Sequence, residues 1–285
     1  MQKIIGLGAT GCAIAQEFSH HPEYDIYRIG TAEDEPEGLQ IPYKSNIEDY
    51  ESEPPSSEIA SYLRNIQDTD EVLFILQGGE PISGLALVIL ETIRESHITI
   101  LYVCPEEGVS TQIQQRDHKI VGSILQEYAR SGVFAYMHLV DSAVVDSLVG
   151  DVPLREYERE FASFVCYVVA MINYFTHTDA VITNYEPPPP IFRIATWGTS
   201  TLGATDSPRW FFPLEGERVE HYYFGIPEGD LTANHSLLRE VKEQVKTMPH
   251  EAKSASFSVH PVTLDAPLVL CAAYSKTVQS FPRVS

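Results

Sequence analysis

The residues from Gly6 to Gly11, Gly-Leu-Gly-Ala-Thr-Gly, have the make-up of an anion cradle. Backbone N–H groups at a helix start attract phosphate, and glycine lets the phosphate approach closely. Gly6, Gly8 and Gly11 satisfy the spacing G-x-G-x-x-G of dinucleotide binding. The competing reading is a tight strand-to-helix turn that holds no ligand. A nicotinamide dinucleotide, and with it an NAD(P)-dependent oxidoreductase, would also need an acid at the end of the second strand to hold the ribose. Glu33 and Asp34 stand a few positions late for that.

A second loop, Gln-Gly-Gly-Glu-Pro-Ile-Ser-Gly, runs from Gln77 to Gly84. Two such loops after neighbouring parallel strands could clamp one polyphosphate. Against this, Glu80 brings like charge and Pro81 removes an N–H donor. A third constellation lies at 140–157. Asp141 could hydrogen-bond a ribose or cap a helix turn. Tyr157 could stack on a base or be an ordinary half-buried helix tyrosine. The adjacent pair His20 and His21 points apart, His138 reads as a core residue, and no G-x-S-x-G elbow is present.

The elements around these loops are legible from periodicity. Residues 3–8 read as a buried strand, 10–20 as a helix and 25–29 as a second strand, the opening of a parallel βαβ unit. The acidic stretch 31–57 carries Pro36, Pro42, Pro54 and Pro55 and reads as a long surface connection, with a short edge strand near Leu39–Tyr43. A short helix is expected at 57–66 and a buried strand at 71–77. A helix at 85–96 and a strand at 98–104 follow. Residues 111–130 read as a polar helix with Ile113, Ile120, Ile124 and Leu125 inward, and 133–140 as a further strand. Strands apolar on both faces, alternating with helices, imply a mostly parallel, doubly wound α/β sheet.

Residues 153–175 have the i, i+3, i+4, i+7 spacing of one long helix, with Asp151 as N-cap and apolar residues nearly all round. The four prolines 187–190 read as a stiff spacer. Strand-like segments follow at 191–198, 209–213, 219–225, 256–262 and 267–275, with one amphipathic helix at 236–247. The expected domains are therefore 1–150 (nucleotide-binding-like α/β), 151–186 (central helix and connection) and 187–285 (a smaller α+β domain).

The chain has 285 residues, 19 Lys plus Arg against 40 Asp plus Glu, and a formal net charge of −21. A body this acidic repels phosphate backbones and anionic lipid heads, which argues against nucleic acid and membrane surfaces as direct partners. No apolar run is long enough to span a bilayer, and no signal-peptide pattern opens the chain. The four cysteines are far apart and form no C-x-x-C pair, so no metal site is expected and they read as buried thiols of a reducing compartment. The expectation is a soluble cytoplasmic protein.

In this order the parts resemble the tubulin/FtsZ superfamily. The resemblance is carried by KIIGLGATGCAIAQEF (3–18), LFILQGGEPISGLALVILETI (73–93), ITILYVCPEEG (98–108) and FAYMHLVDSAVVDSLVGDVPLREYEREFASFV (134–165). The resemblance implies GTP, with Mg, bound between subunits, and head-to-tail homopolymers. It places Gly6, Gly8, Ala9, Thr10, Gly11 and Cys12 against phosphate and nucleoside, and Gly78, Gly79, Ser83 and Gly84 in a second phosphate loop. Tyr157 would stack on guanine, and Asp179 is what remains of a catalytic acidic loop. Departures fall on the ligand side. The signature loop, normally GGGTGTG or GGGTGSG, reads GGEPISG, and the asparagine that reads guanine would fall near Phe161. These departures imply weak or absent hydrolysis, or a degenerate scaffold without nucleotide turnover.

Overall fold

The computed structural model describes residues 2–32, 37–247 and 254–281. The chain divides into two compact units, Met1–Cys166 with Ser280–Ser285, and Tyr167–Gln279.

The first unit opens with strand β1 (Gln2–Leu7) and helix α1 (Gly8–Glu17), then strands β2 (Tyr24–Gly30) and β3 (Leu39–Gln40). Helices α2 (Ile47–Ser52) and α3 (Ser56–Tyr62) lead to β4 (Glu71–Gln77). A 3-10 turn (Pro81–Leu85) opens directly into α4 (Ala86–Thr92). Strand β5 (His97–Cys104), helix α5 (Gln112–Ser131), strand β6 (Tyr136–Asp141) and helix α6 (Ser142–Val149) complete it. The strands lie in the order β3-β2-β1-β4-β5-β6, and every pairing is parallel. Ile4, Ile5, Phe74, Ile75, Leu76, Ile100, Leu101 and Tyr102 are fully buried. Such strands cannot show one polar face, because helices cover both sides of a parallel sheet.

Helix α7 (Tyr157–His177) begins in the first unit and ends in the second. The second unit continues with β7 (Ile182–Thr183), β8 (Ile194–Ser200), β9 (Arg209–Trp210) and β10 (Arg218–Pro227). Helices α8 (Glu228–Ala233) and α9 (Leu237–Thr247) precede β11 (Ser254–Val262) and β12 (Leu268–Ser275). Its sheet is mixed. β10 and β11 are parallel, which the α8–α9 crossover permits, whereas β12 pairs antiparallel with both β10 and β8. Tyr222, Phe224, Val241, Val259 and Cys271 form its core.

Several expectations need correction. The stretch 31–57 is not bare connection: it holds α2, whose Ile47 and Tyr50 are buried despite the surrounding acids. Ile113 and Ile120 point outward. The buried face of α5 is instead built from Asp117, His118, Val121, Leu125 and Ala129. The long helix starts at Tyr157, not 153, because residues 153–156 form a turn in which Glu156 N–H donates to the Pro153 carbonyl at 2.8 Å. It is not buried all round, since Tyr167 and Tyr174 are exposed. The short elements β7 and α8 carry too little periodicity to be read in advance. All four cysteines are buried and none forms a disulfide, and no described helix is long and apolar enough to cross a membrane.

Candidate functional site

In an open parallel sheet, ligands bind beyond the carboxyl ends of the strands where the strand order reverses. Here that point lies between β1 and β4. The chain winds one way through β1, β2 and β3, and the other way through β4, β5 and β6. Leu7 lies opposite Leu76, so the two glycine loops leave the sheet side by side.

The first loop is shaped by close approach. A Cβ on Gly6 would stand 2.3 Å from the Gly11 carbonyl oxygen, and one on Gly11 would stand 2.5 Å from that of Ile75. These two glycines let α1 pack on β1 and β4. Gly8 differs, with φ +77°, a left-handed turn that starts the helix. Cys12 faces the sheet, its thiol within 3.5 Å and 3.4 Å of the carbonyls of Gly6 and Ile29. Ala9 is exposed and Thr10 half-buried.

Helix α1 has no local side-chain cap; its N-cap residue is Leu7. Its first amides are met from the second loop. Ala9 N–H donates to Glu80 Oε2 at 3.1 Å, and Thr10 N–H donates to Glu80 Oε1 at 3.2 Å. The Thr10 hydroxyl donates to Gln77 Oε1. Glu80 Oε2 lies 1.7 Å from where a Cβ on Gly8 would stand, inside the space that glycine leaves open. A helix start carries partial positive charge and unpaired donors, so it suits a carboxylate as well as a phosphate.

The second loop is held by its own chain. A Cβ on Gly78 would strike the Tyr102 hydroxyl at 2.1 Å and His118 Nδ1 at 2.5 Å. Gly79, at φ +84°, faces the Gln114 carbonyl, and Gly84 faces that of Ile47. The Tyr102 hydroxyl donates to the His118 carbonyl at 2.8 Å and lies 2.9 Å from His118 Nδ1. Burial pushes His118 down to about 4. Ser83 is 2% exposed, and its hydroxyl is buried with no hydrogen-bond partner.

Among the remaining residues, Asp141 caps α6, accepting from Ala143 N–H at 2.9 Å, and burial raises its pKa. Tyr157 is half-buried at the start of α7. Its pKa is pushed up to about 12 by burial and by a hydrogen bond with Asp146. Phe161 is buried, its ring 6.2 Å from that of Tyr157. Asp179 is exposed just beyond α7, in the second unit. Glu33 and Asp34, which a dinucleotide reading would use, lie outside the described residues. Sequence reasoning flagged Glu80 as a poor phosphate ligand but missed it, and Gln77, as partners of the first loop. The signal was present, since a carboxylate in one of two facing glycine loops sits near the other loop's amides.

A phosphate on the Ala9 and Thr10 amides would need the place that Glu80 Oε1 and Oε2 hold. In this arrangement the residues do not fit the phosphates of GTP.

No family model and no curated protein matches the chain in sequence. Solved structures do match in shape. The chain is similar to TubZ of Bacillus thuringiensis serovar israelensis in its GTPγS-form protofilament, at TM-score 0.65 and 12% identity, over 98% of this chain and 87% of that one. It is similar to FtsZ of M. jannaschii as an empty dimer, at TM-score 0.65 and 12% identity, over 95% and 87%. It is similar to CetZ from Methanosaeta thermophila at TM-score 0.61 and 12% identity, over 96% and 85%. The fold is of the tubulin/FtsZ type.

Proposed function

We propose that this chain is a cytoskeletal protein of the tubulin/FtsZ type that associates head to tail with copies of itself, as a scaffold that does not turn over nucleotide. The self-association rests on a fold that matches a TubZ protofilament subunit along nearly the whole chain. The single observation behind the second half is the Glu80 carboxylate on the Ala9 and Thr10 amides. Asp179, exposed beyond α7, is then a surface residue at the junction between copies rather than a catalytic acid.

A second reading keeps GTP at the subunit interface, with weak or absent hydrolysis. It is favoured by the positive φ of Gly8 and by the two loops meeting at the strand-order reversal. In that reading Gly8, Ala9 and Thr10 meet phosphate, and Asp141 and Tyr157 meet nucleoside.

Sedimentation and electron microscopy of the purified protein, with and without GTP and Mg, test both. The scaffold reading expects filaments in either condition. Filaments only with GTP would replace it by the second reading, and a monomer at high concentration in both would sink self-association altogether. The net charge of −21 makes copies repel, so assembly should strengthen as salt shortens the screening length from ~30 Å at 0.01 M to ~10 Å at 0.1 M.

A further inference from the structure

We propose that Glu80 is a built-in anion that occupies the phosphate place of this cradle and excludes polyphosphate from it. The inference rests on reading the start of α1 as the fold's phosphate cradle, which is part of the function proposed above. It is carried by three observations that agree.

First, the ten-residue helix α1 has no local side-chain cap, so its leading N–H groups must find an acceptor elsewhere. Second, both oxygens of one carboxylate meet two consecutive amides, Ala9 at 3.1 Å and Thr10 at 3.2 Å. That is how two oxygens of a phosphate would sit. Third, Glu80 Oε2 fills the room beside Gly8 that the missing side chain creates.

The carboxylate is delivered by a braced loop. Gly78 is wedged against Tyr102 and His118, and Gly79 against Gln114. The Glu80 carbonyl accepts from Ser83 N–H at 2.9 Å, and Pro81 opens the 3-10 turn. The Glu80 backbone is therefore fixed, and only rotation of its side chain can vacate the amides. An arriving polyphosphate must displace the two hydrogen bonds and also meet a like charge left close by. Both effects weaken binding and neither touches the rest of the cleft.

Titration calorimetry with inorganic pyrophosphate, and separately with GTP, on dilute unassembled protein tests this. Wild type is compared with Glu80→Gln, which keeps the shape and loses the charge, and Glu80→Ala, which empties the place. Both variants should bind pyrophosphate at least ten-fold more tightly than wild type, Glu80→Ala more so. Should Glu80→Ala fail to fold, Glu80→Gln decides alone. Wild type binding pyrophosphate as tightly as the variants, or folded variants that gain no binding, would overturn the proposal. Because pyrophosphate binding is read on unassembled protein, it can succeed where filaments fail, and fail where filaments form. The two readings thus fall separately.

Discussion

Replacing Gly78 by alanine puts the packing of the second loop to a direct test. The new Cβ would lie 2.1 Å from the Tyr102 hydroxyl, 2.5 Å from His118 Nδ1 and 2.7 Å from Tyr102 Cζ. None of these can move aside freely. Tyr102 is fully buried, its hydroxyl is tied to His118, and the Phe281 ring lies 4.3 Å from the His118 ring, centre to centre. Overpacking of this kind costs about 1–3 kcal/mol. Loss of a buried hydrogen bond adds roughly 1 kcal/mol. We expect Gly78→Ala to lower stability by about 2–4 kcal/mol, measured by urea denaturation. Tyr102→Phe removes the oxygen nearest the added methyl. In the double variant it should return at least ~1 kcal/mol relative to additivity, since contacting residues couple by 0.5–3 kcal/mol. A Gly78→Ala protein within about 0.5 kcal/mol of wild type, or a double variant that is merely additive, would refute the claim that this glycine serves packing.

Two further outcomes follow from polar groups removed wholly or partly from water. Burial lowers His138 and His221 to about 3, below the ~6.5 of an unfolded chain. Their contribution is complete above about pH 6.5 and is lost as pH falls toward the folded values, because the unfolded chain takes up protons that the folded one refuses. The unfolding free energy from urea titrations should fall below that pH by up to about 1.4 kcal/mol per pH unit for each group. His138→Leu should flatten the slope; an unchanged slope would count against it. Asp141→Ala removes the N-cap of α6 and should cost about 1 kcal/mol, with Asp141→Asn retaining most of it. Thermal melts of the two variants check this, and equal losses would contradict the capping role.

The parallel sheet was legible because its strands are apolar on both faces and separated by helical periods; Val72–Leu76 and Ile98–Cys104 need no other explanation. No local pattern marks the reversal of strand order between β1 and β4. Helix α2 escaped notice because its signal, Ile47 and Tyr50, is one turn of apolar spacing within acids and prolines. Ile113 and Ile120 misled because α5 buries His118, Asp117 and Gln126 where an apolar stripe was expected. At the site, glycine spacing located both loops. It could not separate glycines that admit a ligand from those that admit a neighbouring strand or helix. Gly6, Gly11, Gly78 and Gly84 are of the second kind, whereas Gly8 has a positive φ and faces the end of a side chain, Glu80 Oε2.

The carboxylate that terminates α1 lies 71 positions further along the chain. The first turn of this helix therefore cannot be completed by its own neighbourhood. Closing so long a loop carries an entropy cost that rises with the logarithm of its length, and contacts of this separation slow folding. A chain emerging from the ribosome would carry an unfinished first turn until β4 has docked beside β1. Exchange of the Ala9 and Thr10 amide hydrogens thus serves as a clock for that docking.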